Sequence, residues 1–494
     1  MNTAIRKTTL ALALGLLASG AAQAAGEAKN VIFFLGDGMG PVTVTAARIY
    51  KGEKEIAAGN TGKLVTSERA TLAMQSLPYA ARIKTFSRDA QTTDSAPSMA
   101  AYMTGVKMNN EVISMSAETA AYAPDGTQYI KGEDTTCPAG NGQPAVTLLE
   151  LSKAKGRSVG AVSTTRVGHA TPATTYAHIC NRNAYNTIAE QSVDAGVDVL
   201  MGGGQRNYLP KAVNPSSRRT DTRNLVDEMK AKGYTYVSKG TELAALDTSK
   251  TTQLLGLFSQ SEMAYELDRV NQKLDQPSLS DMATKALDVL SRNDKGFFLM
   301  VEGGRIDHAL HGTNAKRALE DTLAFDKAIE NVRAYMEKKD PGLKNTLIVV
   351  TADHDHAISF NGYTKIGSPI LGKAIDYQTG KPALAADGKP YTTLVFGNGG
   401  RPTAADATSL VNAEDGNKPW VAPARGAGRE DLSNVDTTQD NFLQEVNVNL
   451  GTPGSETHGG GDVMLFAGGA GAKIFKGTLD NTKVFGKVKE AAGL

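Results

Sequence analysis

Seven histidines fall in four short segments of the chain, and three of those segments also carry carboxylates. The segments hold His169 and His178; Asp307, His308 and His311; Asp353, His354, Asp355 and His356; and Glu456 with His458. Imidazoles and carboxylates without neighbouring thiolates suit zinc in an open catalytic site better than closed structural zinc, which prefers cysteine. If a helix starts near Asp307, then Asp307 and His311 are four apart and share one face, as two ligands of one ion require. More than three histidines with several aspartates exceed what one ion can use. Two ions about 3.5–4 Å apart would clamp the attacking and leaving oxygens of an in-line phosphoryl displacement. The pattern therefore predicts a binuclear hydrolytic site.

A nucleophile and a phosphate clamp are both available. Ser95, followed by Pro97 and a run of Ala and Met, reads as a helix N-terminus. An ordinary serine cap is the simplest use of such a residue. A nucleophilic hydroxyl there would feel the positive helix end and its amide donors, which suit phosphate. No Gly-x-Ser-x-Gly elbow surrounds it, which argues against a triad hydrolase. Arg166 and Arg182 flank Thr171-Pro172, and either could form two parallel hydrogen bonds to phosphate oxygens. Spacing alone does not choose between them. Asp37, placed between glycines, with Thr171 and Glu302 would suit a third, harder ion such as Mg²⁺.

These residues need a frame that gathers them. Apolar runs at Val31–Leu35, Val159–Val162, Val197–Met201, Phe297–Val301, Leu347–Val350 and Val463–Phe466 read as buried parallel strands. Helical patterns such as Leu279–Leu290 and Ala315–Lys338 lie between them, so the expected class is α/β, a large mostly parallel sheet flanked by helices. Most of the histidine segments follow a strand, and ligands of open α/β sheets bind beyond the carboxyl ends of the strands. Two polar regions read as insertions, Lys211–Thr252 and the longer Ser359–Thr457. The second is expected to form a small cap-like subdomain, or part of an oligomer contact, on an otherwise single domain of residues 25–494.

Bulk composition narrows the setting. Arg6 and Lys7, the apolar Leu10–Leu17 stretch and Ala22-Gln23-Ala24 make residues 1–24 a cleavable signal peptide, too short for a stable membrane anchor. A periplasmic or secreted protein follows. Fifty-three basic and 52 acidic side chains leave a net charge of +1, which gives no field to recruit nucleic acid. The two cysteines, Cys137 and Cys180, could pair in an oxidising compartment.

Asp37-Gly-Met-Gly40, Thr93-Asp-Ser-Ala96, Glu302-Gly-Gly-Arg-Ile-Asp-His308, Thr351-Ala-Asp-His354 and Glu456-Thr-His-Gly-Gly460 occur in an order that resembles the alkaline phosphatases, over roughly Asn30 to Gly477. That resemblance implies hydrolysis of phosphate monoesters through a phosphoserine on Ser95, in a homodimer with a crown-like insertion at 359–457. It implies two zinc ions, one held by Asp307, His311 and His458, the other by Asp37, Asp353 and His354, with Ser95 between them. Mg²⁺ would take Asp37, Thr171 and Glu302. The phosphate-clamping arginine matches Arg182, leaving Arg166 structural or on the surface, and His356 would sit beside the ligands without being one. His169 and His308, expected near the substrate, replace the Asp and Lys of the best-studied bacterial pattern and match the mammalian tissue enzymes. That imidazole pair could draw zinc into the third site. Ser259 stands where the family's fourth, calcium-type site has Glu, so calcium is not expected.

Overall fold

A computed structural model describes residues 28–59, 66–400, 429–451 and 454–494. The expected signal peptide and the 401–428 stretch of the long insertion lie outside them. Ten strands form one sheet: β1 (Asn30–Gly36), β2 (Tyr79–Lys84), β3 (Ser158–Arg166), β4 (Val199–Gly203), β5 (Thr235–Val237), β6 (Leu254–Leu257), β7 (Phe297–Gly303), β8 (Thr346–Ala352), β9 (Val463–Gly469) and β10 (Gly477–Asp480). Their spatial order is β10-β2-β9-β8-β1-β7-β3-β4-β6-β5.

The centre follows directly from the apolar runs. Every residue of β7 and β8 is buried, and in β1 only Asn30 is partly exposed, as expected of strands covered on both faces. Helices Pro41–Ala57, Leu279–Leu290 and Ala315–Lys339 pack together on one side. The Leu279–Leu290 helix starts with a reciprocal capping box between Ser278 and Asp281. Helices Ser95–Thr104 and Asn481–Ala492 pack against each other as a second pair.

Two sequence expectations are corrected here. The run at Val463–Phe466 is a strand, but β9 is antiparallel to both of its neighbours, β8 and β2. An apolar run can be buried in either direction, so it carries no sign of polarity, and Val463–Gly469 is buried chiefly at alternate positions. The direction is set by what precedes it. His458–Gly459 pairs with Asp355–His356 just beyond the end of β8, so the chain enters β9 from that rim. The Lys211–Thr252 region is not simply an insertion: it contains helix Leu225–Ala231 and strand β5, which closes the far edge of the sheet beside β6. A half-exposed edge strand lacks the apolar run by which the central strands announce themselves.

Within the 359–457 region, Leu394–Gly399 is the central strand of a separate three-stranded sheet, antiparallel to Ile358–Phe360 on one side and parallel to Glu445–Asn449 on the other. Cys137 and Cys180 form a disulfide with Cα atoms 6.1 Å apart, which pins the chain two residues before Arg182.

The insertion is tied to the Pro41–Ala57 helix by a carboxylate. Glu53 accepts from the Ile370 amide at 2.6 Å, and burial pushes its carboxyl up to about 7. The folded state thus keeps a proton that the unfolded chain has released, so this contribution is largest in acid and is lost as pH rises through about 7. Glu53→Gln should raise the thermal midpoint by about 2 °C at pH 9 and by less at pH 5. Equal shifts at the two pH values, read by differential scanning calorimetry, would contradict this account.

Candidate active site

The rim at the carboxyl ends of the strands collects the chemistry. Asp37 follows β1, Glu302 lies near the end of β7, and Asp353 and His354 follow β8. Because β9 is reversed, its starting end reaches the same rim and brings His458 there. The turn after β1 depends on glycine at two points. Gly38 has φ +65°, and a Cβ on it would lie 2.4 Å from His356 Nε2; one on Gly40 would overlap the Asp355 carboxylate. Gly38 also donates its amide to Asp353 Oδ1 at 3.0 Å, locking the two strand ends together.

Ser95 is the first residue of a fully buried helix, Ser95–Thr104. Its neighbour Asp94, not Ser95, is the N-cap, accepting from the Ala96 amide at 2.7 Å. The Ser95 hydroxyl is thereby released from capping. Tyr102 Oη donates to Ala352 O at 2.8 Å and Ser98 Oγ to Asp353 O at 2.6 Å, so the helix is bolted to the end of β8. Ser95 Oγ then lies 3.3 Å from Asp37 Oδ1 and 3.2 Å from His354 Nε2.

Two sets of donor atoms converge. Asp307 Oδ1, His311 Nε2 and His458 Nε2 form a triangle with sides of 3.3, 3.4 and 3.2 Å. Asp307 and His311 come from helix Arg305–His311, one turn apart. His354 Nε2 lies 3.2 Å from Asp37 Oδ1 and 3.6 Å from Asp353 Oδ2. Asp37, His169 and Glu302 gather in a third group, where Thr171 Oγ1 reaches Asp37 Oδ2 at 3.5 Å.

The electrostatics of these groups ask for cations. Burial, reinforced by Asp37, pushes Glu302 and Asp353 well above the ordinary carboxylate range. Glu302 Oε1 and Asp353 Oδ2 are buried without a hydrogen-bond partner, an arrangement that a metal ion would complete. Burial and the nearby cationic side of His354 hold His458 down to about 3, so its ring is neutral with a lone pair to give. The donor sets therefore fit metal ions.

The remaining expected residues fall around this rim. Arg182 donates from Nη1 to Asp94 Oδ1 at 3.0 Å and from Nη2 to His169 Nε2 at 2.9 Å. Arg166 is turned elsewhere, paired with Glu262 at 2.7 Å and stacked over the Tyr185 ring. His308 Nδ1 accepts from Arg305 Nη1 at 2.8 Å, and burial with Arg305 holds its pKa to about 4. His356 bridges Asp307 Oδ1 at 2.8 Å and Glu456 Oε2 at 2.6 Å. His178 is not at the rim cluster; it pairs with Glu150 at 2.9 Å. Sequence reasoning gave no role to Asp94 or Glu456. An Asp immediately before a helical run is a cap signal that could have found the first. Glu456 acts across 100 residues on His356, and no local pattern encodes that.

Fold and site together define a hydrolase with a serine set among carboxylates and imidazoles at the rim of a parallel sheet. The alkaline phosphatase family model matches residues 28–494. The tissue-nonspecific alkaline phosphatase of Mus musculus is 38% identical, with 92% of this chain and 82% of the mouse protein aligned. The alkaline phosphatase of Gadus morhua is 36% identical over 93% of this chain and 90% of its own length. The crystal structure of Thermus thermophilus alkaline phosphatase superposes with a TM-score of 0.65 at 27% identity, covering 96% of this chain and 94% of that one. The chain belongs to the alkaline phosphatase family. It is a phosphatase acting on phosphate monoesters, and among the described residues no helix is long and apolar enough to cross a membrane.

If cations compensate the buried carboxylates, a chelator should lower the thermal midpoint at pH 8 by at least about 5 °C, and zinc with magnesium should restore it. An unchanged midpoint in the chelated protein would show that the carboxylates need no ion.

Proposed function

We propose that this chain hydrolyses phosphate monoesters through a covalent phosphoserine on Ser95, with two zinc ions and one magnesium ion as resident cofactors. The observation that carries the reading is the position of Ser95 Oγ, freed from capping and within 3.3 Å of both Asp37 and His354. Asp307, His311 and His458 would hold one zinc; Asp37, Asp353 and His354 would hold the other. When bound, these ions supply Lewis-acid charge to the attacking and leaving oxygens.

The chain's own residues do the rest. Ser95 Oγ, giving up its proton toward Asp37 Oδ1, attacks phosphorus as the ester P–O bond breaks; the leaving oxygen keeps the bonding pair and takes a proton from water to depart as the alcohol. Water then attacks the phosphoserine and loses a proton, the P–Oγ bond breaks, Oγ regains a proton to restore Ser95, and inorganic phosphate is released. The start of helix Ser95–Thr104 offers positive potential to the phosphoryl oxygens. Arg182 meets them with a guanidinium already oriented by Asp94 and His169, which limits the freedom lost on binding. Because Arg305 can only donate, His308 Nδ1 accepts and its Nε2 carries the proton, ready to donate to substrate.

The third site favours magnesium by the same logic. His169 Nε2 accepts from Arg182, so its proton sits on Nδ1 and no lone pair is left to ligate. The oxygens of Asp37, Thr171 and Glu302 remain, a hard donor set. The same reading makes the chain a periplasmic or secreted homodimer formed after removal of residues 1–24. Exposed Tyr363, Ile366 and Leu384 on the insertion support such a contact.

Ser95→Ala should lower kcat on 4-nitrophenyl phosphate by at least about a hundredfold and leave no acid-stable phosphoenzyme after a quench with labelled substrate. Arg182→Ala should raise KM by about tenfold or more. A Ser95→Ala protein that still traps phosphate covalently would contradict the assignment.

A further inference from the structure

His178 takes no part in the chemistry at the rim, yet both of its ring nitrogens are bound. Nδ1 lies 2.7 Å from Ser114 O and Nε2 lies 2.9 Å from Glu150 Oε1. A carbonyl and an ionised carboxylate only accept, so both nitrogens must donate, and a ring that donates twice is an imidazolium. Glu150 is held ionised: burial would raise its pKa, but the bonds from His178 and the Thr147 amide outweigh that and lower it. Its other oxygen accepts from the Thr147 amide at 2.8 Å, in the capping box that starts helix Leu148–Ala154. Ser114 has φ +46°, a region that residues other than glycine seldom occupy. Its turn is held by the Ala145 amide, which donates to Ser114 O at 2.9 Å, and by its own hydroxyl, which donates to Thr174 O at 2.7 Å.

The same stretch of chain leads to the phosphate clamp. Residues 178–182 run antiparallel to 111–114: Ile179 and Ile113 exchange both backbone hydrogen bonds at 3.0 Å, and the Arg182 amide donates to Glu111 O at 2.8 Å. The Glu111 amide donates to Asp94 Oδ2, on the carboxylate whose Oδ1 receives Arg182 Nη1 at 3.0 Å. His178 therefore closes one end of a short ribbon, and Arg182 stands at the other. On the opposite side Gln191, from helix Tyr185–Ala195, accepts from the His178 amide at 2.8 Å and donates to its carbonyl at 3.0 Å. The backbone of His178 is thus fixed to one helix while its ring ties the ribbon to another.

We propose that His178 is a positioning residue for Arg182, its doubly donating ring holding residues 178–182 against 111–114 so that the guanidinium meets the phosphoryl oxygens already oriented. The proposal rests on the phosphatase reading above and adds a group that acts on substrate affinity from outside the site. Burial opposes charge on the ring, but the hydrogen bonds to Glu150 and Ser114 outweigh it and hold the pKa above the ordinary imidazole value. Glu150 is the charged group that bears on the ring; helix Tyr185–Ala195 presents the neutral Gln191, and the 111–114 segment presents the Ser114 carbonyl. A raised folded pKa makes the tie complete in acid and loses it as pH rises through that value. A neutral ring turns a lone pair on one of its two acceptors, so that bond becomes a repulsion. The side chain is 17% exposed, which lets solvent take the proton. Affinity for the phosphoryl group therefore weakens in alkali, in KM rather than in kcat.

The test is the pH profile of KM and kcat for 4-nitrophenyl phosphate on the metal-loaded enzyme. His178→Gln should raise KM about threefold over wild type at about pH 6, with kcat within about twofold. At about pH 10, where the wild type has shed the same proton, the two KM values should agree. Glu150→Gln keeps an acceptor but removes the charge that favours the imidazolium, so its KM should begin to rise at a lower pH than that of the wild type. This second variant keeps the test decisive if His178→Gln does not fold. A KM ratio between His178→Gln and wild type that is the same at both pH values would overturn the positioning role, because a merely structural defect does not follow one proton. Superposable KM profiles for wild type and Glu150→Gln would overturn it as well. A wild type without activity on 4-nitrophenyl phosphate would instead overturn the phosphatase reading beneath it.

Discussion

Four carboxylates, Asp37, Glu302, Asp307 and Asp353, are buried at one rim of one sheet, each at most 4% exposed. Burying a single unpaired carboxylate costs several kcal/mol even after relaxation, and like charges brought together add to that. Imidazoles offset part of the repulsion: Asp307 is held well below the ordinary range, against the effect of burial, chiefly by His311. For Glu302 and Asp353 burial and the charge of Asp37 outweigh the relief given by Ser163 and by His354 respectively, and both are pushed the other way. Such a set of charges is relieved either by protonation of Glu302 and Asp353 or by cations, which the donor geometry fits. The fold is built to hold that set rigid.

Rigidity comes from where the ligands are mounted. Three of the carboxylates sit at or just past the ends of β1, β7 and β8, the adjacent, fully covered centre of the sheet. The fourth is on a short helix that follows β7 after a single glycine. Ser95 is placed by its helix, which is fastened through Tyr102 and Ser98 to the last residue of β8 and the one after it. The nucleophile and the second ligand set therefore share one mechanical support. The segment carrying Arg182 has a different one, the disulfide at Cys180 together with Asp94 and His169. Precise positioning of this kind is how phosphoryl transfer is accelerated with little covalent work by the protein.

Much of this was legible in the residues. The central strands are long apolar runs, and the site residues lie next to them in the sequence, so Asp37, Glu302, Asp307, Asp353 and His354 were found by reading past the end of each run. The direction of β9 and the edge strand β5 were missed because neither burial nor polarity encodes them. Asp94 was overshadowed by Ser95, although capping chemistry favours Asp equally. Spacing left Arg166 and Arg182 equivalent. The family resemblance picks Arg182, and the fold supplies the physical reason: Glu262 and Tyr185 draw Arg166 away while Asp94 and His169 hold Arg182 at the rim.

The central claim is that two imidazole–carboxylate sets at this rim bind metal ions on either side of Ser95. A crystal of the zinc-loaded protein, with data collected on both sides of the zinc absorption edge, tests it most directly. The account predicts two anomalous peaks, one among Asp307, His311 and His458 and one among Asp37, Asp353 and His354. Absence of density at either position, or peaks only elsewhere, would contradict it.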